Sequence, residues 1–172
     1  MTVSLFDALV PSWIQVLESM SGLMDKAEHH CAVCGVEPQV LINARLALDM
    51  RPLSYQVKAA ISHSSGAINA VRRGRFSPDL SWPESFGAMK GGVDIAIEEL
   101  SALDKDEVNA FADKDLLFMA VDYQAEFTAE NFLLSFSLPN FYFHTSIGYA
   151  ILRAQGLDIG KIDYLGRLRK KC

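Results

Sequence analysis

The sequence predicts an all-α fold, an antiparallel four-helix bundle with a small β-hairpin before the last helix. Three observations predict it. Apolar residues alternate spacings of four and three from Phe6 to Cys31, which is a bundle seam. Helix-start and helix-stop residues bracket further long segments. Strand-like alternation is confined to 116–127. The 172 residues form one domain, 1–172, large enough to bury a real core.

In the first helix Ser4 is the N-cap and Asp7 lies in the first turn. Phe6, Val10, Trp13, Leu17, Met20, Met24, Ala27 and Cys31 form the seam. Pro11 is expected to kink this helix near its second turn, and Gly35 to stop it. The helix ends on His29-His30-Cys31-Ala-Val-Cys34. A closed zinc site needs four ligands, and no second CxxC pair lies elsewhere. Thioredoxin-like chemistry wants its CxxC after a strand. Cys31 therefore reads as seam, with His29 and His30 solvated.

Residues 36–52 connect, with a helical turn at Pro38 to Ala44. Helix two is expected from Leu53 to Arg73, closed by Gly74, with Leu53, Val57, Ile61, Ile68 and Val71 inward. His63 lies at the edge of that stripe, among Ala59, Ala60, Ala67 and Ala70. Residues 75–80 read as a loop. Ser81-Trp-Pro-Glu84 is a capping box opening helix three, which runs to about Leu103. Asp104-Lys-Asp-Glu107 opens a short helix to about Phe111. Leu116–Asp122 and Tyr123–Phe127 form the hairpin, and Thr128 caps the last helix. The tail Leu157 to Leu165 reads as ordered but irregular.

Composition narrows the function classes. Half the residues are hydrophobic and 22% are charged, ordinary for a soluble globule. A net charge of −5 argues against nucleic acid, and the basic run Arg167–Lys171 reads as a solvated end. No signal peptide is expected, because the N-terminus lacks a basic region and carries Asp7 early. Phe132 to Leu152 is too interrupted by polar residues and Pro139 to span a membrane. Three cysteines without framework spacing fit a reducing cytoplasm.

The stretch Thr128 to Gly156 carries the chemistry. Projected at 100° per residue, its polar residues split into two stripes. Asn131, Ser135, Ser146 and Arg153 should meet water. Ser137, Asn140, His144 and Gly148 fall opposite, uncharged and flanked by Phe141, Ile147 and Ile151. A polar stripe on a buried face needs partners. Asn140 and His144, at i and i+4, project from one face, where His63 could join them. Pro139 should bend the helix beside this stripe.

The chain resembles an uncharacterised bacterial family of the DinB/YfiT-like superfamily. The resemblance is carried by Leu46-Ala-Leu-Asp-Met50 with Pro52-Leu53, by Leu138-Pro-Asn-Phe-Tyr-Phe-His144 with Tyr149-Ala-Ile-Leu-Arg153, and by Gly160-Lys-Ile-Asp-Tyr-Leu-Gly166. It implies a four-helix bundle, often a homodimer, with a metal held by three histidines, one from helix two and an HxxxH pair from the last helix. His63 fits the first position and His144 the last, but Asn140 replaces the remaining histidine. The implied metal site is His63, Asn140 and His144, holding Zn or Ni weakly, or no metal at all. Superfamily relatives include thiol-dependent S-transferases and isomerases using bacillithiol or mycothiol. The expected function is thiol-dependent transfer or metal-assisted chemistry at a degenerate site. The alternative is a non-catalytic small-molecule-binding or structural homodimer.

Overall fold

The computed structural model describes residues 3–171. The chain is mostly helical with a small three-stranded sheet. Helix α1 (Leu5–Cys34) begins where Ser4 Oγ accepts the Asp7 N–H, and it ends on Gly35 at φ 66°. That left-handed residue costs glycine little and turns its N–H back to the Cys31 carbonyl. The helix runs unbroken through Pro11, close enough to its start that the carbonyl freed is that of exposed Asp7. The seam is buried as expected from Val10 to Cys31, and Phe6 is half-buried.

Helix α2 (Pro38–Ile42) occupies the connector. Helix two is not continuous. It splits into α3 (Leu53–Ser62) and α4 (Ser65–Arg73), and the break falls on His63 and Ser64. The cause is local. Ser64 Oγ donates to the Ala60 carbonyl at 2.7 Å and Ser62 Oγ to the Lys58 carbonyl at 3.0 Å, so serines compete with the backbone for helix acceptors. Gly66 allows the restart, since a Cβ there would lie 3.2 Å from the Ile61 carbonyl oxygen.

The expected loop at 75–80 begins with a strand, β1 (Arg75–Phe76). The capping box at Ser81 does not open helix three. Ser81 is held by Asp79, which accepts its N–H and hydroxyl, while its carbonyl accepts from Lys58 Nζ. Helix α5 (Phe86–Ser101) instead starts at Ser85, whose Oγ accepts the Ala88 N–H. Helix α6 (Lys105–Asn109) is capped by Asp104, as expected.

Strands β2 (Asp115–Ala120) and β3 (Tyr123–Thr128) form the expected antiparallel hairpin. The sheet order is β1-β2-β3, with β1 parallel to β2 and Phe76 opposite Phe118. Thr128 then caps α7 (Ala129–Asn131), which passes into a π-helical turn (Phe132–Ser137) and then α8 (Leu138–Ala154). Pro139, which has no N–H to give, follows directly after the widened turn. The tail is helical rather than irregular: α9 (Lys161–Leu165) is followed by Gly166 at φ 60°, where a Cβ would meet Ser19 Oγ at 2.2 Å. Gln15 Nε2 donates to the Leu165 carbonyl, and Tyr164 Oη meets Thr145 Oγ1 at 3.0 Å, so the tail ties α1 to α8.

Helix α1 packs on α5 and α8, and α3 packs on the same two helices. Trp13, Phe132 and Phe141 are fully buried, and Trp13 meets Phe141 edge to face at 6.3 Å. No described helix is long and apolar enough to cross a membrane. Trp13→Ala should lower unfolding free energy by about 3–5 kcal/mol in urea denaturation. Val121→Ala, in the 91% exposed hairpin turn, should stay within about 0.5 kcal/mol of the parent.

Candidate functional site

The contact between α3 and α8 brings the two histidines together. His63 is the C-cap residue of α3, its N–H held by the Ala59 carbonyl at 2.9 Å. His144 lies on α8, past the π turn, on the stripe the helical repeat assigned to the buried face. The rings are nearly parallel, 7° apart, with centroids 6.0 Å from each other. Gly148, one turn further, lets α8 come close: a Cβ there would already touch Gln56 Cβ at 3.7 Å and Leu53 Cδ1 at 3.8 Å.

Gln56 is the residue that sequence reasoning missed. It is 2% exposed and crosses to α8, where its Oε1 lies 2.7 Å from His144 Nδ1. Its Nε2 donates to the Arg51 carbonyl at 2.9 Å, which fixes the amide orientation and leaves Oε1 as the acceptor. His144 therefore carries its proton on Nδ1 and presents a lone pair on Nε2. A glutamine on a helix face reads as solvated, and only the burial of its neighbour Val57 and of Ala60 one turn on marks this face as interior.

His63 is 8% exposed. Its Nδ1 lies 3.4 Å from Ser137 Oγ, a long contact to a hydroxyl that both donates and accepts. Phe76 stacks on the ring at 5.3 Å and Phe136 meets it edge-on at 5.4 Å. Phe76 comes from β1, which only the long-range pairing with β2 creates, so nothing local announced it. Tyr55 meets His144 edge to face at 5.8 Å. Asn140 sits one turn before His144, half-buried, and its amide donates to the Phe136 carbonyl at 2.8 Å. Among the described residues it bonds neither imidazole.

Both rings are held neutral. Burial pushes His63 down to about 4, with the nearby His144 adding to the effect, and burial alone pushes His144 down to about 4. Neither Nε2 makes a hydrogen bond among the described residues. The buried orphan side-chain atoms there are Trp13 Nε1 and Ser54 Oγ, so neither imidazole nitrogen is sealed away without a partner.

Cys31 takes the seam position expected of it. Cys31 is buried in the seam, where desolvation raises its thiol pKa, and exposed Cys34 lies 3.8 Å from His30 Nδ1. A surface cleft of about 360 Å³ lies away from the imidazoles, and a second of about 390 Å³ reaches Phe76, the ring that stacks on His63. In one Lys26 is paired with Asp163, and in the other Lys58 is paired with Asp79. The Nε2 lone pair of His144 has no such partner among the described residues.

A family profile described as a domain of unknown function, DUF1993, matches residues 5–165. The chain belongs to the DUF1993 family. It is also similar to the crystal structure of a DinB family member protein from Shewanella denitrificans, with a TM-score of 0.82 and 26% sequence identity. That match covers 98% of this chain and 95% of the other. Comparison with curated proteins finds no match. The family is thus DinB-like, with no assigned activity.

The DinB-like resemblance raises the question of a metal, and the donor set answers in part. Two neutral imidazoles suit a borderline divalent ion. The third position does not fit, because Asn140 offers a neutral amide turned onto its own helix. Among the described residues no three His, Cys, Asp or Glu side chains converge. A catalytic zinc-type centre uses three strong protein ligands, and among the described residues this DUF1993 site offers two.

The neutral rings give a pH prediction. The folded pKa of about 4 lies below the unfolded value of 6.5, so the unfolded chain binds more protons between them. Stability should be complete above about pH 6.5 and fall as pH drops towards 4, by about 3 kcal/mol for His63 over the whole window. Urea denaturation from pH 7 to 5 reads this loss. His63→Gln and His144→Gln should each flatten the curve, and an equal slope in parent and variants would reject the assignment.

Proposed function

We propose that this DUF1993 chain binds a small protic ligand between α3 and α8, through the neutral imidazoles of His63 and His144. The supporting observation is the Gln56–His144 hydrogen bond, which leaves Nε2 of His144 as a fixed acceptor on a ring that stays uncharged at neutral pH. An imidazole whose conjugate acid has a pKa near 4 costs about 4 kcal/mol to protonate at pH 7. General-base catalysis works best with a pKa near the operating pH. The magnitude favours accepting a hydrogen bond from N–H, O–H or S–H over taking the proton outright. A thiol cofactor of the kind the superfamily resemblance implies fits this scheme, with its S–H donating to Nε2.

In this reading Asn140 shapes the wall of the site rather than supplying a strong ligand. The mutual packing of α1, α5, α3 and α8 is read as the expected four-helix bundle. The homodimer and the cytoplasmic setting that the sequence implied belong to the same proposal, the former checked by sedimentation.

Two measurements test the reading. Small thiols, phenols and amides should include one that raises the melting temperature saturably, and His63→Leu and His144→Leu should abolish that response. Untagged protein should hold less than about a tenth of an equivalent of metal, with no gain on adding Zn or Ni. Stoichiometric metal lost in His144→Leu would instead install the metal at His63, Asn140 and His144.

A further inference from the structure

We infer that Arg51 is the anion-recognising group of this site, so that its ligand is a small molecule with a carboxylate at one end and a hydrogen-bond donor at the other. The inference deepens the ligand-binding reading and rests on it.

Arg51 is exposed and immediately precedes Pro52, the N-cap residue of α3. Its guanidinium carbon lies 5.6 Å from the centroid of the Tyr55 ring and 5.6 Å from that of Trp82. The two rings meet each other edge to face at 5.8 Å. Contact with two aromatic rings restrains a planar guanidinium and leaves its N–H edge free to bond. Among the described residues this guanidinium makes no ion pair. Arg72 shows the contrast, since it gives Nε and Nη2 to the Glu107 carboxylate, both at 2.8 Å. Arg51 has the same bidentate fork and nothing in it.

This cation belongs to the imidazole site by two routes. Tyr55, under the guanidinium, also meets His144 at 5.8 Å, so one ring touches both groups. The backbone makes the second link: the Arg51 carbonyl accepts from Gln56 Nε2, and Gln56 Oε1 accepts from His144 Nδ1. The residue that carries the charge thus also sets the tautomer of the acceptor. The neighbouring cation on α3, Lys58, is already paired with Asp79. A planar guanidinium held in this way matches a carboxylate, which its fork can take by two parallel hydrogen bonds.

The test uses the full chain with N-acetyltyrosine and N-acetylcysteine, their methyl esters, and inorganic phosphate. NMR titration follows the His144 ring protons and the Arg51 side-chain N–H. At least one acid should shift both signals saturably. Its ester should bind about tenfold or more weakly, and Arg51→Gln should weaken the acid by the same factor. Arg51→Lys should recover only part, because lysine lacks the planar fork. Arg51→Gln keeps the backbone carbonyl, so its melting temperature should match the parent and show the fold intact. Equal binding of acid and ester, unmoved by Arg51→Gln, would overturn the role of Arg51 and leave the ligand site standing. Phosphate competing as well as the acid would overturn the carboxylate. If none of these compounds moves the His144 signals, both the inference and the ligand-binding reading fall.

Discussion

Taking two imidazoles out of water is the constraint around which the contact between α3 and α8 is built. A neutral ring can be buried if its nitrogens find partners, whereas a charged one is costly. Gln56 meets that need for His144, and the chain of hydrogen bonds ends on the Arg51 carbonyl, which costs no further side chain. Phe76 and Phe136 cover His63 and keep water from its face. Gly148 lets the helices approach closely enough for Gln56 to span the gap. The dryness that lowers both pKa values also strengthens any hydrogen bond made to the exposed lone pair of His144. Stability and binding capacity here have the same physical origin.

Much of the fold was legible because its signals are local. Ser4, Asp104 and Thr128 each cap a helix through an N–H three residues on, and Gly35 ends one within a single turn. The alternation at 116–127 needed only a two-residue turn to become a hairpin. The misses needed distant partners or competing local ones. Ser81 has the residues of a capping box, but Asp79 and Lys58 claim its polar groups. The strand at Phe76 exists only because β2 lies beside it. The serines around His63 break a helix that apolar periodicity alone draws as continuous.

The site was half legible. The stripe through Ser137, His144 and Gly148 was correctly placed, because all three lie on one regular run of helix or at its edge. The periodicity put His63 at a stripe edge, from which a bundle could bring it to the same face, and the resemblance implied the same placement. Gln56 and Arg51 carried no signal of their own. Glutamine and arginine on a helix or beside its start are ordinary surface residues until a partner helix and two aromatic rings give them a direction.

The π turn has a consequence for the length of the chain. It places one residue more between Thr128 and Ser137 than a plain α-helix would use, and each residue rotates the helix beyond it by about 100°. Dropping a residue there would regularise the helix yet swing His144 off the face it shares with His63. Insertions and deletions in this segment are therefore excluded where substitutions are not, and the hairpin tip at Val121 and Asp122 is where the chain is free to lengthen. A short gap in an aligned homologue, placed between its hairpin and its last histidine, would mark a protein that has given up the pair.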